Sequence, residues 1–189
     1  MSRSYTLKKR AERQAETRRR IVEAAVDLHS TLGPSATTLS MIAEKAGVQR
    51  HTLYAHFPDE RSIFMACSGL AHERDPSPTA DAWRRIADPT ERLTVALTAV
   101  YGWYERNASL LSNVMRDIER HLIVQEIQTT QMAPVHKDWN QVLSVGLSAS
   151  QCAMLNLALS FYTWQTLTRD GGLKTIAAVT AMVDAIEGA

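Results

Sequence analysis

Four side chains that suit nucleic-acid recognition lie within residues 47–57, which read GVQRHTLYAHF. Arg50 can donate two parallel hydrogen bonds to guanine, a contact worth about 1–3 kcal/mol of base discrimination. His51 can donate to or accept from a base edge, and Tyr54 offers a hydroxyl for phosphate and ring carbons for a thymine methyl. His56 stands at the end of the segment, where it can reach a backbone phosphate. These residue types indicate DNA binding.

A helix over this segment would present the first three of these side chains together. At about 100° per residue, Val48 and Leu53 define an inward direction, and Arg50, His51 and Tyr54 fall within an arc of about 100° on the opposite side. The competing interpretation is a polar, solvated face with no partner. We favour the DNA-binding one because a glycine turn and a basic N-terminal segment precede the helix.

Metal binding is the other chemistry that two histidines suggest. His51 and His56 are five residues apart, which places them about 140° apart around a helix, whereas paired ligands use a spacing of four. The sequence therefore predicts no metal site here.

The elements that position this helix can be read from the flanking residues. Helical spacing of apolar residues predicts a first helix from near Leu7 or Glu12 to His29 or Leu32, which Gly33-Pro34 ends. Thr37 and Thr38 offer an N-cap for a short second helix over residues 39–46. Gly47 ends that helix in a tight turn.

The third helix is the quoted segment, and a fourth follows it. Pro58 breaks the third helix, and Asp59 can cap a helix over residues 60–73. Two helices joined by a tight glycine turn form a helix-turn-helix, whose second helix enters the DNA major groove. The amides around Thr37 and Thr38 offer a further seat for phosphate.

Composition and charge agree with a soluble, all-α protein. The 189 residues carry 45% apolar and 22% charged side chains, and strand signals are almost absent. The first twenty residues hold 8 basic and 2 acidic side chains, although the net charge of the chain is only +1. We expect residues 1–72 to form the DNA-binding domain. Its first eleven residues form a basic arm, either disordered or continuing the first helix.

The run RRRIVEAAVDLHSTLGPSATTLSMIAEKAGVQRHTLYAHFPDERSIF resembles the DNA-binding domain of the TetR/AcrR family of bacterial transcriptional regulators. The matching pieces are IVEAAVDLH, TTLSMIAEKAGV and TLYAHF. The resemblance implies a homodimer on a near-palindromic operator and a C-terminal helical domain that binds a small molecule, which relieves repression. It also implies DNA contacts from Thr38, Gln49, Arg50, His51, Thr52, Tyr54 and His56.

Two positions depart from the family pattern. His51 stands where many members have a small residue or proline, so an operator of its own is expected. Glu60 stands where a lysine often touches phosphate, and Arg61 or the N-terminal arginines are expected to replace that contact. Neither departure removes the expectation of DNA binding.

Residues 73–189 are predicted to form a helical domain for ligand binding and dimerisation. Asp88, Pro89 and Glu91 predict a helix start, and Ser148 with Gln151 predicts a capping box. Residues 139–168 carry no charge, but serine, glycine, asparagine and glutamine interrupt them, so we expect buried helices rather than a membrane span.

Two of these helices look suited to dimerisation. The last helix carries apolar residues at helical spacing. The helix before it is apolar nearly all round, which indicates that it buries two faces. We expect a two-fold contact made by these two helices from each of two subunits. The alternative is a monomer in which the same residues form a large core. The predicted interface residues are Leu155, Leu159, Tyr162, Ile176, Val179, Met182, Val183 and Ile186.

A small-molecule pocket is expected in the same domain, where aromatic walls with a few polar groups could converge. The absence of a charge cluster favours an apolar or aromatic effector. A core made of the same residues is the alternative. The predicted lining residues are Tyr101, Trp103, Tyr104, Met115, His121, Trp139 and Asn156.

No catalytic motif is present, so we expect no enzyme, no cofactor and no metal. Cys67 and Cys152 have no spacing for a disulfide framework, which fits a reduced, cytoplasmic compartment. The sequence thus predicts a ligand-responsive, homodimeric repressor of double-stranded operator DNA with no membrane partner. The alternative is an architectural or interaction protein that binds DNA without an inducer.

Overall fold

The computed structural model describes the backbone of residues 2–189 and the side chains of residues 7–189. Within that part of the chain all regular structure is helical, as the sequence predicted, and it includes eleven α-helices. The first seven are α1 (Ser2–Thr31), α2 (Leu39–Lys45), α3 (Arg50–His56), α4 (Glu60–Arg74), α5 (Pro89–Arg106), α6 (Ala108–Asp117) and α7 (Leu122–Ile127). The others are α8 (Ala133–Leu143), α9 (Ala149–Ala158), α10 (Phe161–Gln165) and α11 (Thr175–Glu187).

Two compact units divide these helices. The first comprises the chain up to Pro76 together with residues 112–127, and the second comprises residues 77–111 and 128–189. The predicted linear boundary after residue 72 differs from this division because residues 112–127 pack onto the first unit. The first residue of the predicted basic arm lies outside the described part, and α1 runs through residues 7–11.

Apolar side chains from the first four helices form the core of the first unit. Ile21 and Ala25 of α1, Ile42 of α2 and Ile63 of α4 are at most 1% exposed, and Leu53 of α3 is equally buried. Burying side chains of this size removes them from water at a gain of roughly 1.5–3 kcal/mol each. This shared core fixes the position of the short helix α3, whose seven residues could not hold a helix alone.

Local capping sets the angles between these helices. Thr38 caps α2 with its hydroxyl oxygen, which accepts a hydrogen bond from the Met41 N–H at 3.2 Å. Gly47 adopts a φ of 64° in the turn between α2 and α3, a region in which residues with a Cβ are strained. Asp59 caps α4 through the Ser62 N–H at 2.7 Å. The capping residues predicted from the sequence are thus in place.

Residues 112–127 are held to the first unit by polar contacts at the turn after α1. The Asn113 side chain donates to the Ser30 carbonyl at 2.7 Å, and the Arg116 guanidinium donates to the Leu32 carbonyl at 2.9 Å. The Asp117 carboxylate accepts from the Ser35 N–H at 2.8 Å. Burial alone raises the pKa of Asp117, but the hydrogen bonds from Arg116 and Ser35 outweigh it and bring the net pKa below its ordinary value.

The second unit is built on α5, which packs against α11. Val100 of α5 is fully buried, and Val179 and Val183 of α11 are at most 4% exposed. Its helix starts follow the sequence: Asp88 accepts from the Glu91 N–H at 2.7 Å, and the predicted capping box of Ser148 and Gln151 is present.

Two segments of this unit have short or interrupted helical structure. Residues 80–87 form only a 3-10 turn at Trp83–Arg85. The helix that Ser148 caps ends at Ala158, and Ser160 has an extended conformation that separates α9 from α10. The break frees the carbonyls of Ala158 and Leu159, which accept hydrogen bonds from Tyr101 and Tyr104 at 2.9 and 2.6 Å. Buried carbonyls need such partners.

Among the described residues, none of the helices is both long and apolar enough to cross a membrane.

Candidate nucleic-acid interface

Helix α3 presents three polar side chains on one exposed face. Arg50, His51 and Tyr54 are exposed, whereas Leu53 is 1% exposed and Phe57, directly after the helix, is fully buried. The facing predicted from helical periodicity is confirmed. A helix docked by its apolar side and presenting arginine, histidine and tyrosine outward can offer donors and acceptors to base edges.

Arg50 and Tyr54 contact each other one turn apart. The Arg50 Nη2 donates to the Tyr54 hydroxyl at 3.3 Å, and its Cζ lies 5.9 Å from the centre of the Tyr54 ring. The contact limits the rotamers of a long, flexible arginine on an otherwise open surface. An arginine restrained in this way loses less conformational entropy when it binds a base.

The other predicted contacts of α3 surround this pair. Gln49 is exposed and extended at the N-cap of α3, with no side-chain cap hydrogen bond. Thr52 and His56 are half-buried, on the flanks of the exposed face. Gln49 is therefore placed for a base or phosphate contact, and the two flanking residues lie at the edge of the same surface.

The two threonines before α2 differ in their roles. Thr38 is exposed and caps α2. Thr37 is only 6% exposed, its hydroxyl donates to the Gly33 carbonyl at 2.8 Å, and its N–H donates to the Pro34 carbonyl at 3.2 Å. The hydroxyl and N–H of Thr37 close the turn, so the phosphate contact predicted for Thr37 has no free donor here.

Arg61 is exposed at the start of α4, but its guanidinium is already engaged. Its Nε lies 3.0 and 2.9 Å from the two carboxylate oxygens of Glu126 in α7, and its Nη2 also donates to Glu126. Hydrogen bonds from Arg61 lower the pKa of Glu126, which keeps the carboxylate ionised. A phosphate contact by Arg61, as predicted, requires this carboxylate to be displaced, and sequence spacing gave no signal of a partner 65 residues away.

Phe64 of α4 packs between two histidine rings. The Phe64 ring is 4.6 Å from the His29 ring on one side and 4.8 Å from the His121 ring on the other. Burial lowers the pKa of His29 to about 4, with a further contribution from His121 and an opposing one from Asp117, so this imidazole is neutral near pH 7. His29 Nδ1 lies 3.3 Å from the Cys67 sulfur, and burial raises the pKa of that thiol to about 12.

The seven residues predicted to line a pocket are distributed over both units. Tyr101, Trp103 and Tyr104 of α5 are buried in the second unit, and their rings contact one another. Asn156 of α9 is exposed in the same unit. Met115 and His121 belong to residues 112–127, in the first unit. The contact among the α5 rings follows from a shared helix face, which is a local property of the sequence.

Trp139 belongs to a separate cluster of the second unit. It is fully buried, its indole N–H donates to the Pro78 carbonyl at 2.7 Å, and its ring stacks on His136 at 4.9 Å. Its polar atom is already used, so Trp139 has a packing role in this structure.

The α5 aromatic residues join two that the sequence analysis missed. The Tyr104 ring lies 5.4 Å from the Phe161 ring, which in turn lies 5.3 Å from the Trp164 ring. Among the described residues, the Trp164 indole N–H is buried with no hydrogen-bond partner. The signal for these two was the spacing of three between Phe161 and Trp164, which puts both on one helix face.

Most of the residues predicted for dimerisation are buried within the protomer. Leu155, Leu159, Val179, Met182, Val183 and Ile186 are at most 6% exposed, because the apolar stripes of α9 and α11 pack on each other and α11 also packs on α5. Tyr162 and Ile176 remain 54% and 78% exposed. The sequence analysis missed Leu157 and Leu173, which are 51% and 37% exposed in the same region of the chain.

Comparison with known proteins agrees with this arrangement. Residues 21–67 match the family described as bacterial regulatory proteins, tetR family. These residues contain the first buried turns of α1, the α2–α3 pair and the first half of α4. The matched segment therefore coincides with the elements that hold the exposed face of α3.

Relatives in sequence and in structure extend the likeness. An HTH-type transcriptional regulator of Mycobacterium tuberculosis is 32% identical over 139 residues, 72% of this chain and 65% of the relative, so the match spans just under two thirds of that protein. The transcriptional repressor KstR of Mycolicibacterium smegmatis is 29% identical over 106 residues, 56% of this chain and 52% of KstR. FadR of Bacillus subtilis, solved with stearoyl-CoA, shares the fold at 17% identity, with a TM-score of 0.59 over 88% of this chain and 96% of FadR.

Proposed function

The chain carries the helix-turn-helix domain of the TetR/AcrR family of bacterial transcriptional regulators, and we propose that it acts as a homodimeric, ligand-responsive repressor. In this proposal two copies of α3 enter adjacent major grooves of a palindromic operator. A small molecule bound in the second unit releases the protein from DNA. The protein is not an enzyme and acts in the cytoplasm.

The observation that carries the proposal is the exposed face of α3. Arg50, His51 and Tyr54 share that face, while Leu53 and Phe57 anchor the helix from behind. Arginine bidentate to guanine supplies the strongest sequence discrimination of the three. His51 then gives the operator its individual sequence, because its ring can read a base edge that a smaller side chain would leave untouched.

Dimerisation is proposed through the side chains that the protomer leaves exposed. Leu157, Tyr162, Leu173 and Ile176 are large, apolar or aromatic, and between 37% and 78% exposed. An isologous contact through such residues would bury them against the same residues of a second copy. The buried stripe of α11, including Val179 and Val183, supports this surface from within rather than forming it.

The effector is proposed to be apolar or aromatic and to act at the cluster of Tyr104, Phe161 and Trp164. Rings dominate this cluster, and the unpartnered Trp164 N–H could donate one orienting hydrogen bond. Burial raises the pKa of the Tyr101 and Tyr104 hydroxyls, which favours neutral groups here. The stearoyl-CoA bound to the FadR fold neighbour is consistent with a largely apolar ligand.

Arg50→Ala tests the DNA-binding part of the proposal. The ratio of affinity for selected operator over random duplex should fall by a factor of roughly 5 to 150, the equivalent of about 1–3 kcal/mol, in a fluorescence anisotropy titration. Arg120→Ala removes an exposed arginine that lies outside α3 and should leave the ratio unchanged. An unchanged ratio in Arg50→Ala would remove Arg50 from base readout.

A thermal-shift screen tests the effector part. A ligand that binds the native state raises its apparent stability, and a true effector should also lower operator affinity. DNA binding that is indifferent to every stabilising ligand would favour an architectural DNA-binding protein without an inducer.

A further inference from the structure

The N-terminal part of α1 extends beyond the core of the first unit. We call residues 7–20 the basic extension. All side chains from Leu7 to Glu16 are exposed, and Ile21 is the first fully buried residue of the helix. At 1.5 Å per residue, the fourteen residues of the extension span about 21 Å. Residues 7–16 are therefore exposed on every side of the helix and make no contribution to the core.

The extension has a strong excess of positive charge. It contains seven cations and only two acids, Glu12 and Glu16. Among the described residues, Lys8, Lys9, Arg10 and Arg13 make no ion pair, although both acids lie within one helical turn of a cation. With seven cations and two acids, repulsion among the cations is only partly compensated within the extension, and a polyanion would relieve it.

One contact fixes where the extension leaves the domain. The Arg18 guanidinium carbon lies 4.5 Å from the centre of the Phe57 ring. Phe57 is fully buried and directly follows His56, the last residue of α3. The C-terminal end of the extension therefore lies beside Phe57, the residue that follows α3, and α3 is the helix that carries Arg50 and Tyr54.

The side chains of the extension also limit what it can bind. Leu7 is the only large apolar residue in it, and Ala11 and Ala15 are small, so it lacks the apolar face with which an amphipathic helix enters a lipid surface. Duplex DNA presents a phosphate about every 3.4 Å along each strand, and about 21 Å corresponds to roughly six base pairs. The charge and the length of the extension match this spacing.

We propose that the basic extension binds the phosphate backbone of the duplex next to the half-site that α3 reads, independently of its base sequence. The inference rests on the proposed DNA-binding function and adds a second contact region to it. The bound footprint then reaches beyond the base pairs that α3 recognises, and part of the affinity comes from flanking DNA of any sequence.

Two operator duplexes test this proposal. One ends at the outer base pairs of the selected operator, and the other carries about ten additional base pairs of arbitrary sequence on each side. The protein should bind the longer duplex more tightly, with a steeper dependence of affinity on salt. If each cation neutralises one phosphate, three cations contribute about 2.7 to the slope of log affinity against log salt for each protomer.

Lys8→Gln, Lys9→Gln and Arg13→Gln are combined in the test variant, since glutamine keeps helix propensity. The control variant combines Arg85→Gln, Lys137→Gln and Lys174→Gln, which remove the same charge from exposed positions of the second unit. The test variant should bind both duplexes equally and lose the extra slope, whereas the control should behave as the wild type. Equal melting temperatures would verify that both variants fold.

The outcomes separate the inference from the proposed function. If the test variant keeps the advantage of the longer duplex, or if the wild type shows none, the basic extension does not bind flanking DNA although the operator is still recognised. If no operator duplex binds better than random DNA, the proposed function itself is wrong.

Discussion

The guanidinium of Arg61 in α4 is hydrogen-bonded to the carboxylate of Glu126 in α7, with Nε 3.0 and 2.9 Å from the two oxygens. Arg61 is five residues after His56, the last residue of α3. If the phosphate contact expected of Arg61 forms, Glu126 and a DNA phosphate are rival acceptors for one guanidinium.

Glu126→Gln should strengthen DNA binding. Loss of the carboxylate leaves Arg61 available for one phosphate, so affinity should rise and the salt slope should steepen by about 0.9 for each protomer. Anisotropy titrations across a salt series measure both quantities. The gain should vanish when Arg61→Ala is present in the same chain.

Glu119→Gln is the matched control, because Glu119 is an exposed acid in the same part of the chain and no ion pair joins it to Arg61. If Glu119→Gln strengthens binding as much as Glu126→Gln, the effect is general charge neutralisation. A gain that persists without Arg61 would also contradict the rival-acceptor account.

Gly33→Ala should destabilise the first unit more than an ordinary glycine substitution. Gly33 has a φ of 96°, and a Cβ there would lie 2.1 Å from Arg116 Nη2. Gly47→Ala shares the positive φ, of 64°, but its Cβ would meet nothing within 4 Å. Urea denaturation should give a cost of about 1–2 kcal/mol for Gly47→Ala, from backbone strain alone, and a larger cost for Gly33→Ala.

Arg116→Ala provides the check on that prediction. In this background the Cβ that Gly33→Ala adds no longer meets the guanidinium, so the additional cost of Gly33→Ala over Gly47→Ala should shrink. An additional cost that is the same with and without Arg116 would place the clash elsewhere.

Thr38→Ala should cost about 1 kcal/mol of unfolding free energy, because α2 loses its N-cap acceptor for the Met41 N–H. Thr38→Ser retains a hydroxyl oxygen and should restore most of the stability. Chemical denaturation of the three proteins measures the difference. Equal stability of Thr38→Ala and wild type would mean that the cap contributes nothing.

The buried His29 predicts an acid-sensitive fold. Burial lowers its pKa from 6.5 to about 4, so the unfolded chain binds a proton between these values that the folded protein does not. The contribution of His29 to the free energy of unfolding is fully present above pH 6.5. It is lost as the pH falls towards 4, by about 3 kcal/mol in total. His29→Gln should remove this component of the pH dependence of unfolding, measured by urea titration at each pH.

His72→Gln is the control, since His72 is an exposed histidine of α4. It should leave the pH dependence of stability close to that of the wild type. If the free energy of unfolding falls between pH 6.5 and 4 as much in His29→Gln as in the wild type, other groups cause the loss of stability.

The sequence predicted the DNA-binding unit well because its signals are local. Helical periodicity was sufficient to place Leu53 inside and Arg50 outside, and the turn at Gly47 and the caps at Thr38 and Asp59 depend on residues a few positions apart. The family resemblance carried by the same residues is confirmed. Each of these features is determined within about ten residues.

The features that sequence reasoning missed involve long-range packing. The stripe of Val179 and Val183 signalled burial, but periodicity does not say whether a stripe faces its own core or a partner. The pairing of Arg61 with Glu126 and the ring contact of Phe64 with His121 join residues far apart in sequence. Their contacts follow from the tertiary fold, which local patterns do not specify.

Selection of bound sequences from random duplex DNA tests the central claim most directly. The account predicts enrichment of an inverted repeat whose half-sites lie about 10 base pairs apart, centre to centre, or a multiple of that distance, so that both α3 helices face one side of the duplex. Arg50→Ala should lose a conserved guanine from each half-site. Recovery of no enriched sequence, or of the same repeat by Arg50→Ala, would contradict the account.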